Sequence, residues 1–341
     1  MKHDDFAYHF SNFFNKYLPG ERGLSENTIN SYEDTFCLLL TFMKDTKRVK
    51  IEKLRLDDIT RNTIELFLEW LECTRGCSPQ TRNVRLAALH SFVKYLQYEA
   101  PRRMDEWQQI LAVPFEKTAK STPCYASLDS IKLILSQPDA NSRNGRRDIA
   151  MLSLLYDAGA RVQEVCDLTP EMVRLVSPST LKIIGKGKKA RIVPLMKEMS
   201  EILKIYMGEN NLLRPEANCY PLFSNSRGNK LTRSGIAYIL NKYIDSAQKI
   251  NDEAIPKGFT CHSMRHSKAM HLLQSDIPLV YIRDILGHSS VVTTEVYARV
   301  DGKKKRDAIE AAYLKTAPNI EAVWHSNSSI RDFISDIRRI K

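Results

Sequence analysis

The stretch from Thr260 to Val300 constrains the fold of this 341-residue chain more than any other segment. Its apolar residues recur at helical spacing, and Thr260 and Pro278 suit the starts of two helices. Gly287 suits the end of the second helix, and a serine two or three positions later can cap a third. The stretch therefore predicts three short helices joined by tight turns.

These helices and two upstream motifs carry polar residues suited to binding an anion. Arginine matches a phosphate group with two parallel hydrogen bonds and stays charged at physiological pH. We predict that the fold gathers six side chains around one phosphate: Arg161 in GARVQEV, Lys186 in GKGKK, and His262, Arg265, His288 and Tyr297 in the C-terminal stretch.

Length and composition indicate two ordinary domains inside the cell. No run of about 18 uncharged apolar residues could cross a membrane. The N-terminal residues MKHDDFAYHF lack the layout of a secretion signal. Seven scattered cysteines, an odd number, are typical of reduced thiols. We therefore predict a cytoplasmic protein, associated with the nucleoid if it binds DNA.

The net charge of +11 is unevenly distributed. Residues 1–120 carry +1, and the remaining residues carry +10. A basic half suits a polyanionic partner, nucleic acid first. A surface that only favours solubility would have the same charge, so the charge alone leaves both interpretations open.

Periodicity divides the chain into two predicted domains. Residues 1–112 have an all-helical pattern, and residues 113–126 contain two prolines without sustained periodicity, so they form the best linker candidate. Residues 127–318 combine helices with the only strong β signal, at Met172–Val176, Leu181–Ile184 and Arg191–Leu195. We therefore predict a mainly α chain with a small antiparallel β-sheet.

The fourth predicted helix of the first domain, Gln80–Tyr98, begins with a basic cluster on its polar side. The cluster consists of Thr81, Arg82 and Arg85. Free backbone N–H groups and arginine act together on phosphates at such positions, so we predict that these three residues bind DNA. The alternative is a solvated helix face.

Arg161 and Lys186 have different local settings. Arg161 follows Gly159 at the junction of two apolar helical segments, where it needs an anion. Glu164 and a ligand phosphate are the two candidates. Lys186 lies in a lysine-rich hairpin turn, Gly185–Ala190, and most such turns are merely solvated.

The six residues together fit the cleavage of a phosphodiester without metal. Fixed cations such as Arg161 and Arg265, with His288 as a further donor, can stabilise the charge of the transition state. Tyr297 can serve as the nucleophile, since neighbouring guanidinium charges favour its phenolate. His262 can accept the phenol proton, and Lys186 can protonate the leaving hydroxyl.

A zinc site is the main alternative for part of this set. His262 and His266 have the i, i+4 spacing of zinc ligands. No glutamate follows the first histidine as in HExxH, and Arg265 and Lys268 lie close by. We therefore expect neither a metal nor any other cofactor.

This ordered set resembles the tyrosine recombinase (phage integrase) family, in particular its two-domain Xer-like members. The matching segments are DAGARVQEVCDL, IIGKGKKARIVPL, CHSMRHSKAMHLL, ILGHSSVVTT and EVYARV. In the first domain, RGLSENTINSY and SPQTRNVRLAALHSFVKYL look like the family's helical core-binding (SAM-like) domain. Ala160 and Met264 stand where the family more often has leucine, and we expect these differences to affect packing alone.

The resemblance implies a site-specific DNA recombinase of the integrase or transposase type. Tyr297 would form a 3′-phosphotyrosyl link and release a 5′-hydroxyl, without metal or ATP. The implied partner is double-stranded DNA with inverted-repeat half-sites, held by a homotetramer on two such sites. A role in host chromosome resolution and a role in a mobile element look the same at this level.

Residues 319–341 predict a tail helix beyond the simplest Xer-like length. Its apolar stripe and the basic residues beside it are Ile330, Phe333, Ile334, Ile337 and Ile340, with Arg338, Arg339 and Lys341. We predict that this helix docks in trans on a neighbouring protomer. Packing on its own domain is the alternative.

Two other functions share parts of this pattern. A type IB topoisomerase uses similar tyrosine, arginine, lysine and histidine chemistry but relaxes supercoils as a monomer. A catalytically silent DNA-binding regulator could use the same scaffold. The Xer-like first domain disfavours the topoisomerase, and the six filled polar positions disfavour the regulator.

Overall fold

The computed structural model describes residues 5–118, 122–185, 187, 189–288 and 290–300, except for the side chains of Val292, Arg299 and Val300. The chain forms two compact units, Met1–Ser121 and Thr122–Lys341. Helices dominate both units, and a three-stranded antiparallel sheet lies in the second. The predicted fold class is therefore confirmed.

The described part of the first unit is helical. Its helices are α1 (Phe6–Asn12), α2 (Glu26–Asp45), α3 (Arg61–Cys73), α4 (Pro79–Glu99) and α5 (Met104–Leu111). A π-helical segment, Phe13–Glu21, continues α1. The hydroxyls of Thr60 and Ser78 accept backbone N–H groups at the starts of α3 and α4, where the helices would otherwise leave donors unpaired.

Aromatic side chains fill the core of the first unit. Phe13, Phe36 and Phe92 are almost fully buried, and the rings of Phe13 and Phe92 meet edge to face with centroids 5.0 Å apart. Helix α5, which the sequence did not indicate, adds Trp107 to this core. The indole N–H of Trp107 donates to the Ala100 carbonyl at 2.9 Å.

The second unit combines helices with a small sheet. The helices are α6 (Leu128–Leu135), α7 (Arg143–Asp157), α8 (Val162–Cys166), α9 (Lys197–Glu209), α10 (Arg233–Ile250), α11 (Cys261–Gln274), α12 (Leu279–Leu286) and α13 (Val292–Val300). The strands are β1 (Val173–Arg174), β2 (Thr180–Ile184) and β3 (Ala190–Pro194). Strand β2 lies between the other two, and Ile184 pairs with Ala190 at the hairpin end.

The three helices predicted within Thr260–Val300 are present as α11, α12 and α13. The hydroxyl of Thr260 accepts the N–H of Ser263, which caps α11. Gly287 ends α12 with a φ of 67°, a left-handed conformation that glycine adopts without strain. The signals at Thr260, Pro278 and Gly287 therefore predicted the start of α11 and both ends of α12 correctly, whereas α13 begins at Val292, beyond the serines expected to cap it.

Two negative findings apply to the described residues. None of their helices combines the length and apolar character that a membrane crossing requires. No cluster of three or more histidine, cysteine or acidic residues among them could hold a metal ion.

Candidate active site

Arg265 is the most deeply buried charged group of the site. Its side chain on α11 is 1% exposed. Its Nη1 and Nη2 atoms donate to the carbonyls of Gly159 and Leu286, each at 2.7 Å. The guanidinium is therefore fixed between the turn that follows α7 and the end of α12.

Gly159 makes this arrangement possible. It has a φ of 54°, and a Cβ atom built on it would lie only 2.6 Å from Leu286 Cδ2. Only a glycine combines this backbone conformation with the close approach of Leu286. The turn that presents a carbonyl to Arg265 thus also leads the chain directly into Arg161.

Arg161 occupies the N-cap position of α8 and pairs with Glu164. Its Nη1 atom donates to Glu164 Oε1 at 2.8 Å, and its backbone N–H donates to Oε2 at 2.8 Å. Its Nη2 atom lies 3.4 Å from the Gly287 carbonyl. Of the two anions considered from the sequence, Glu164 is thus the partner. The Arg161 side chain remains 40% exposed, so one side of it can meet a ligand.

Glu164 is shared with a second arginine that the sequence did not single out. The Nη1 and Nη2 atoms of Arg191, on β3, donate to the two carboxylate oxygens at 3.0 and 2.7 Å. Burial alone would raise the pKa of Glu164, but hydrogen bonds from Arg191 and Arg161 outweigh it and hold the pKa below its usual range. Glu164 is therefore a carboxylate at neutral pH.

Positive charge exceeds negative charge at this point. Three guanidiniums, those of Arg161, Arg191 and Arg265, surround the single carboxylate of Glu164. Burial, and then the charge of Arg161, lower the pKa of Arg265 to about 10. A phosphate placed here would relieve this repulsion, so the site suits a bound anion.

Tyr297 lies among three histidines. Its hydroxyl oxygen is 2.8 Å from Nδ1 of His266, and its ring stacks on that of His288 with centroids 6.4 Å apart. The rings of His262 and His266 meet edge to face, 4.3 Å between centroids. His288 Nδ1 lies 3.0 Å from the Thr294 hydroxyl at the start of α13. The structure thus gathers the predicted histidines and tyrosine, and it adds His266.

The surroundings of the three histidines favour their neutral forms. Burial and the neighbouring arginines lower the pKa of His288 to about 4. Burial, His262 and Arg265 lower that of His266 to about 4. Loss of hydration, then Arg265 and Arg161, lower the pKa of His262. Each neutral imidazole can accept a proton on one ring nitrogen. Its hydrogen-bond partners decide which nitrogen that is.

Two opposing influences act on the phenol of Tyr297. Arg265 and Arg161 act in the predicted direction and favour the phenolate, but burial outweighs them and raises the pKa of Tyr297. The side chain is only 2% exposed, because it packs with Met270, Leu273 and Leu286. The two guanidiniums thus favour the phenolate, as predicted, but in this arrangement burial keeps the phenol of Tyr297 protonated.

Lys186 lies outside the described residues. Of this turn the structure describes Gly185, Gly187 and Lys189, and the N–H of Gly185 donates to the Lys189 carbonyl at 2.9 Å. A Cβ atom on Gly185 would lie 3.3 Å from Glu164 Oε1. The turn that carries Lys186 thus begins beside Glu164.

Thr81 and Arg82 of the predicted DNA-binding cluster have partners in the first unit. The Thr81 hydroxyl lies 3.0 Å from that of Ser78, which caps α4. Arg82 Nε lies 3.3 Å from Glu72 and 3.2 Å from Glu116, and its side chain is 12% exposed. A phosphate would have to compete with both carboxylates for Arg82.

Arg85 is also held by the first unit. Its Nη1 atom donates to the Ser31 carbonyl at 3.0 Å and to the Thr35 hydroxyl at 3.1 Å. These contacts tie α4 to α2. A role of Arg85 in DNA binding therefore stays a prediction, as it does for Thr81 and Arg82.

Two family patterns match the chain. The phage integrase family matches residues 127–304, and the phage integrase N-terminal SAM-like domain matches residues 12–100. An integrase/recombinase of Sinorhizobium fredii is 33% identical over 317 residues, 93% of each chain. The tyrosine recombinase XerD of Listeria innocua is 34% identical over 296 residues, 86% of this chain and 95% of that protein.

Solved structures share the fold. XerH recombinase bound to a palindromic difH substrate gives a TM-score of 0.67 at 22% identity, covering 85% of this chain and 80% of the other. The Tn1549 transposon integrase bound to transposon right-end DNA gives 0.63 at 17% identity, covering 88% and 98%. At these identities the similarity concerns the fold alone.

Proposed function

Because this chain belongs to the phage integrase family of tyrosine recombinases, and is therefore a site-specific DNA recombinase, we propose that Tyr297 is its nucleophile. The observation that carries this proposal is the position of the Tyr297 hydroxyl, hydrogen-bonded to His266 beside His288 and within the field of Arg161 and Arg265. A phenol in that setting has both a proton acceptor and a nearby site for a phosphate.

The proposed reaction is a transesterification. The Tyr297 oxygen attacks the scissile phosphorus and forms the 3′-phosphotyrosyl bond, while the bond to the 5′-oxygen breaks and that oxygen takes a proton. A 5′-hydroxyl of the partner strand then attacks the phosphotyrosine, restores the phosphodiester and returns the proton to the phenol. The bond energy is conserved, so the cycle needs no ATP, and these steps use no metal or cofactor.

The residues of the site divide the work. Arg161 and Arg265 neutralise the non-bridging oxygens, and His288 donates a further hydrogen bond to them. Lys186 protonates the leaving 5′-oxygen. His262 was the acceptor predicted for the phenol proton, but the 2.8 Å contact favours His266 as the first acceptor.

Access to Tyr297 requires a conformational step. A side chain that is 2% exposed cannot attack a phosphodiester in a duplex without moving toward it. Helix α13 is short, and its start is held by the hydrogen bond between His288 and Thr294. We propose that duplex DNA shifts α13 and so brings the phenol to the phosphate.

DNA is the partner of a recombinase of this family, and the finer assembly follows as a proposal. We propose residues 1–112 as the core-binding domain, 113–126 as the linker and 127–318 as the catalytic domain. A homotetramer would hold two double-stranded sites with inverted-repeat half-sites. The reaction would take place on nucleoid DNA in the cytoplasm, in a mobile element or a host chromosome.

The tail lies outside the described residues, and a groove on the second unit suits it. The groove has a volume of about 650 Å³, and Leu133, Ile250 and Ala254 give it apolar walls, with Asp129 and Glu253 among its lining residues. The predicted tail helix has an apolar stripe and basic residues at its end. We propose that the tail of one protomer fills this groove of its neighbour.

The relatives described above give no support to the two alternative functions. Neither a type IB topoisomerase nor a catalytically silent regulator is found among the relatives described above. A plasmid relaxation assay run beside a recombination assay on two cognate sites separates the topoisomerase from the recombinase.

A suicide substrate tests the proposed nucleophile. On a duplex nicked near the cleavage point, the wild-type chain should accumulate a covalent complex with DNA, and Tyr297→Phe should form none while still binding the duplex. Tyr281→Phe, which alters an exposed tyrosine of α12, serves as the matched control. Covalent complex formation by Tyr297→Phe would overturn the assignment.

A further inference from the structure

Arg191 connects three elements of the second unit. It lies on β3 and binds both carboxylate oxygens of Glu164, on α8, at 3.0 and 2.7 Å. Its Nε atom donates to the carbonyl of Ile285, on α12, at 2.9 Å. Three bonds from one planar guanidinium fix its position, and the side chain is only 11% exposed.

The surrounding backbone makes room for this arginine. Gly287 has a φ of 67°, and a Cβ atom on it would lie 2.9 Å from both Cδ and Nη1 of Arg191. A side chain at position 287 would therefore displace the guanidinium. The turn at the end of α12 and the arginine on β3 depend on each other.

Without Arg191, Arg161 would be the only arginine described as hydrogen-bonded to Glu164. Glu164 is buried, and a buried carboxylate needs paired charge and hydrogen bonds. With Arg191 on both of its oxygens, its charge is already balanced when it orients Arg161. Arg161 keeps one hydrogen bond to Oε1 through Nη1, and its exposed part retains positive charge for a ligand.

We propose that Arg191 is a positioning residue for strand cleavage, which acts through Glu164 to hold the Arg161 guanidinium toward the phosphate. This inference rests on the proposed role of Arg161. The hydrogen bonds of the Arg191 guanidinium go to Glu164 and to the Ile285 carbonyl, so its proposed effect on the phosphate is indirect. Without it, Glu164 competes with the phosphate for Arg161, so the loss concerns the neutralisation of phosphate charge.

A neutral substrate separates this role from a structural one. Replacing the scissile phosphate by a methylphosphonate removes the charge that Arg161 neutralises. Single-turnover cleavage by the full chain is compared on both substrates for Arg161→Ala, Arg191→Ala and Arg191→Lys. Arg174→Ala, which alters an exposed arginine of β1, is the matched control.

Arg191→Ala should slow cleavage of the ordinary phosphate at least tenfold more than cleavage of the methylphosphonate. Arg161→Ala should show the same selectivity, and the double variant should lose little more than either alone. Arg191→Lys should be intermediate, because an ammonium cannot bind both oxygens in the same fork. Arg174→Ala should match the wild type.

The inference about Arg191 would be overturned if Arg191→Ala slowed cleavage of both substrates equally while Arg161→Ala still slowed cleavage of the phosphate more. An absence of selectivity in Arg161→Ala would overturn the role proposed for Arg161 instead. If Arg191→Ala melts below the assay temperature, Arg191→Lys gives the same comparison.

Discussion

His266 Nδ1 lies 2.8 Å from the hydroxyl oxygen of Tyr297. With its pKa lowered to about 4, His266 is neutral at pH 7 and can accept the phenol proton. We expect His266→Phe to reduce the free energy of unfolding by about 1–2 kcal/mol, because the buried hydroxyl loses its partner. In a Tyr297→Phe background the loss caused by His266→Phe should be smaller by at least about 0.5 kcal/mol, because the hydroxyl is already absent. Calorimetry of the four proteins measures both values, and additive losses would contradict the coupling.

The two arginines proposed to bind the phosphate, Arg161 and Arg265, should matter for the transition state. Arg161→Ala and Arg265→Ala should each raise the cleavage barrier by more than about 2 kcal/mol. Arg265→Ala should also reduce stability, because the carbonyls of Gly159 and Leu286 lose their donors. Single-turnover cleavage of a suicide substrate, corrected for the folded fraction, measures the barrier. Normal strand exchange by either variant would rule out the assignment.

Leaving-group chemistry tests Lys186. Lys186→Ala should slow cleavage strongly on ordinary DNA, because the departing 5′-oxygen lacks a proton donor. A 5′-bridging phosphorothiolate, whose sulfur leaves without a proton, should restore most of the rate. Lys188→Ala and Lys189→Ala are the matched controls. If one of them shows the selective rescue instead, the acid is a different lysine of the turn.

Acid should destabilise the catalytic unit through its histidines. The pKa values of His266 and His288 are about 4 in the folded chain and about 6.5 in an unfolded one, so the unfolded state binds more protons in between. Their contribution is present above about pH 6.5 and is lost as the pH falls toward 4. By pH 5 we expect a loss of roughly 2 kcal/mol for each ring. Urea unfolding between pH 7.5 and 5 should show a shallower slope for His266→Gln, and an unchanged slope would contradict the assignment.

The tail prediction depends on which protomer supplies the groove. Truncation after Pro318 should abolish tetramer assembly on two sites and leave binding to a single site largely intact. Ile250→Glu, in the groove, should have the same effect. Mixing the two defective proteins should restore one tail–groove interface and yield dimers, as measured by light scattering on DNA. Unimpaired synapsis by the truncated chain would favour packing of the tail on its own domain.

The sequence was sufficient for the parts of the site that local signals encode. Thr260, Pro278 and Gly287 mark the ends of α11 and α12, and such capping depends on residues a few positions apart. The two histidines and the arginine of the HSMRH segment therefore fall on one short helix, as predicted. The two hairpin strands could likewise be predicted from their β-branched residues.

Contacts between residues far apart in the chain could not be predicted from the sequence. Arg191 looks like another cation after a lysine-rich turn, and only its contact with Glu164, 27 positions earlier, distinguishes it. In the sequence His266 shows only the i, i+4 spacing to His262 that zinc ligands also have, and no local pattern places Tyr297 beside it. The sequence predicts Arg82 on the polar face of a helix, but it cannot show that Glu116, from a distant segment, pairs with it. Each of these depends on segments that meet through tertiary packing.

Gly159 and Gly287 carry a consequence for genetic screens. Both have a positive φ, and at both a methyl group would collide with a neighbour, Leu286 in one case and Arg191 in the other. A saturation survey of this chain would thus score two residues without any functional group as harshly as the arginines and the tyrosine. Intolerance to replacement, taken alone, would not distinguish the residues that shape this pocket from those that take part in the reaction.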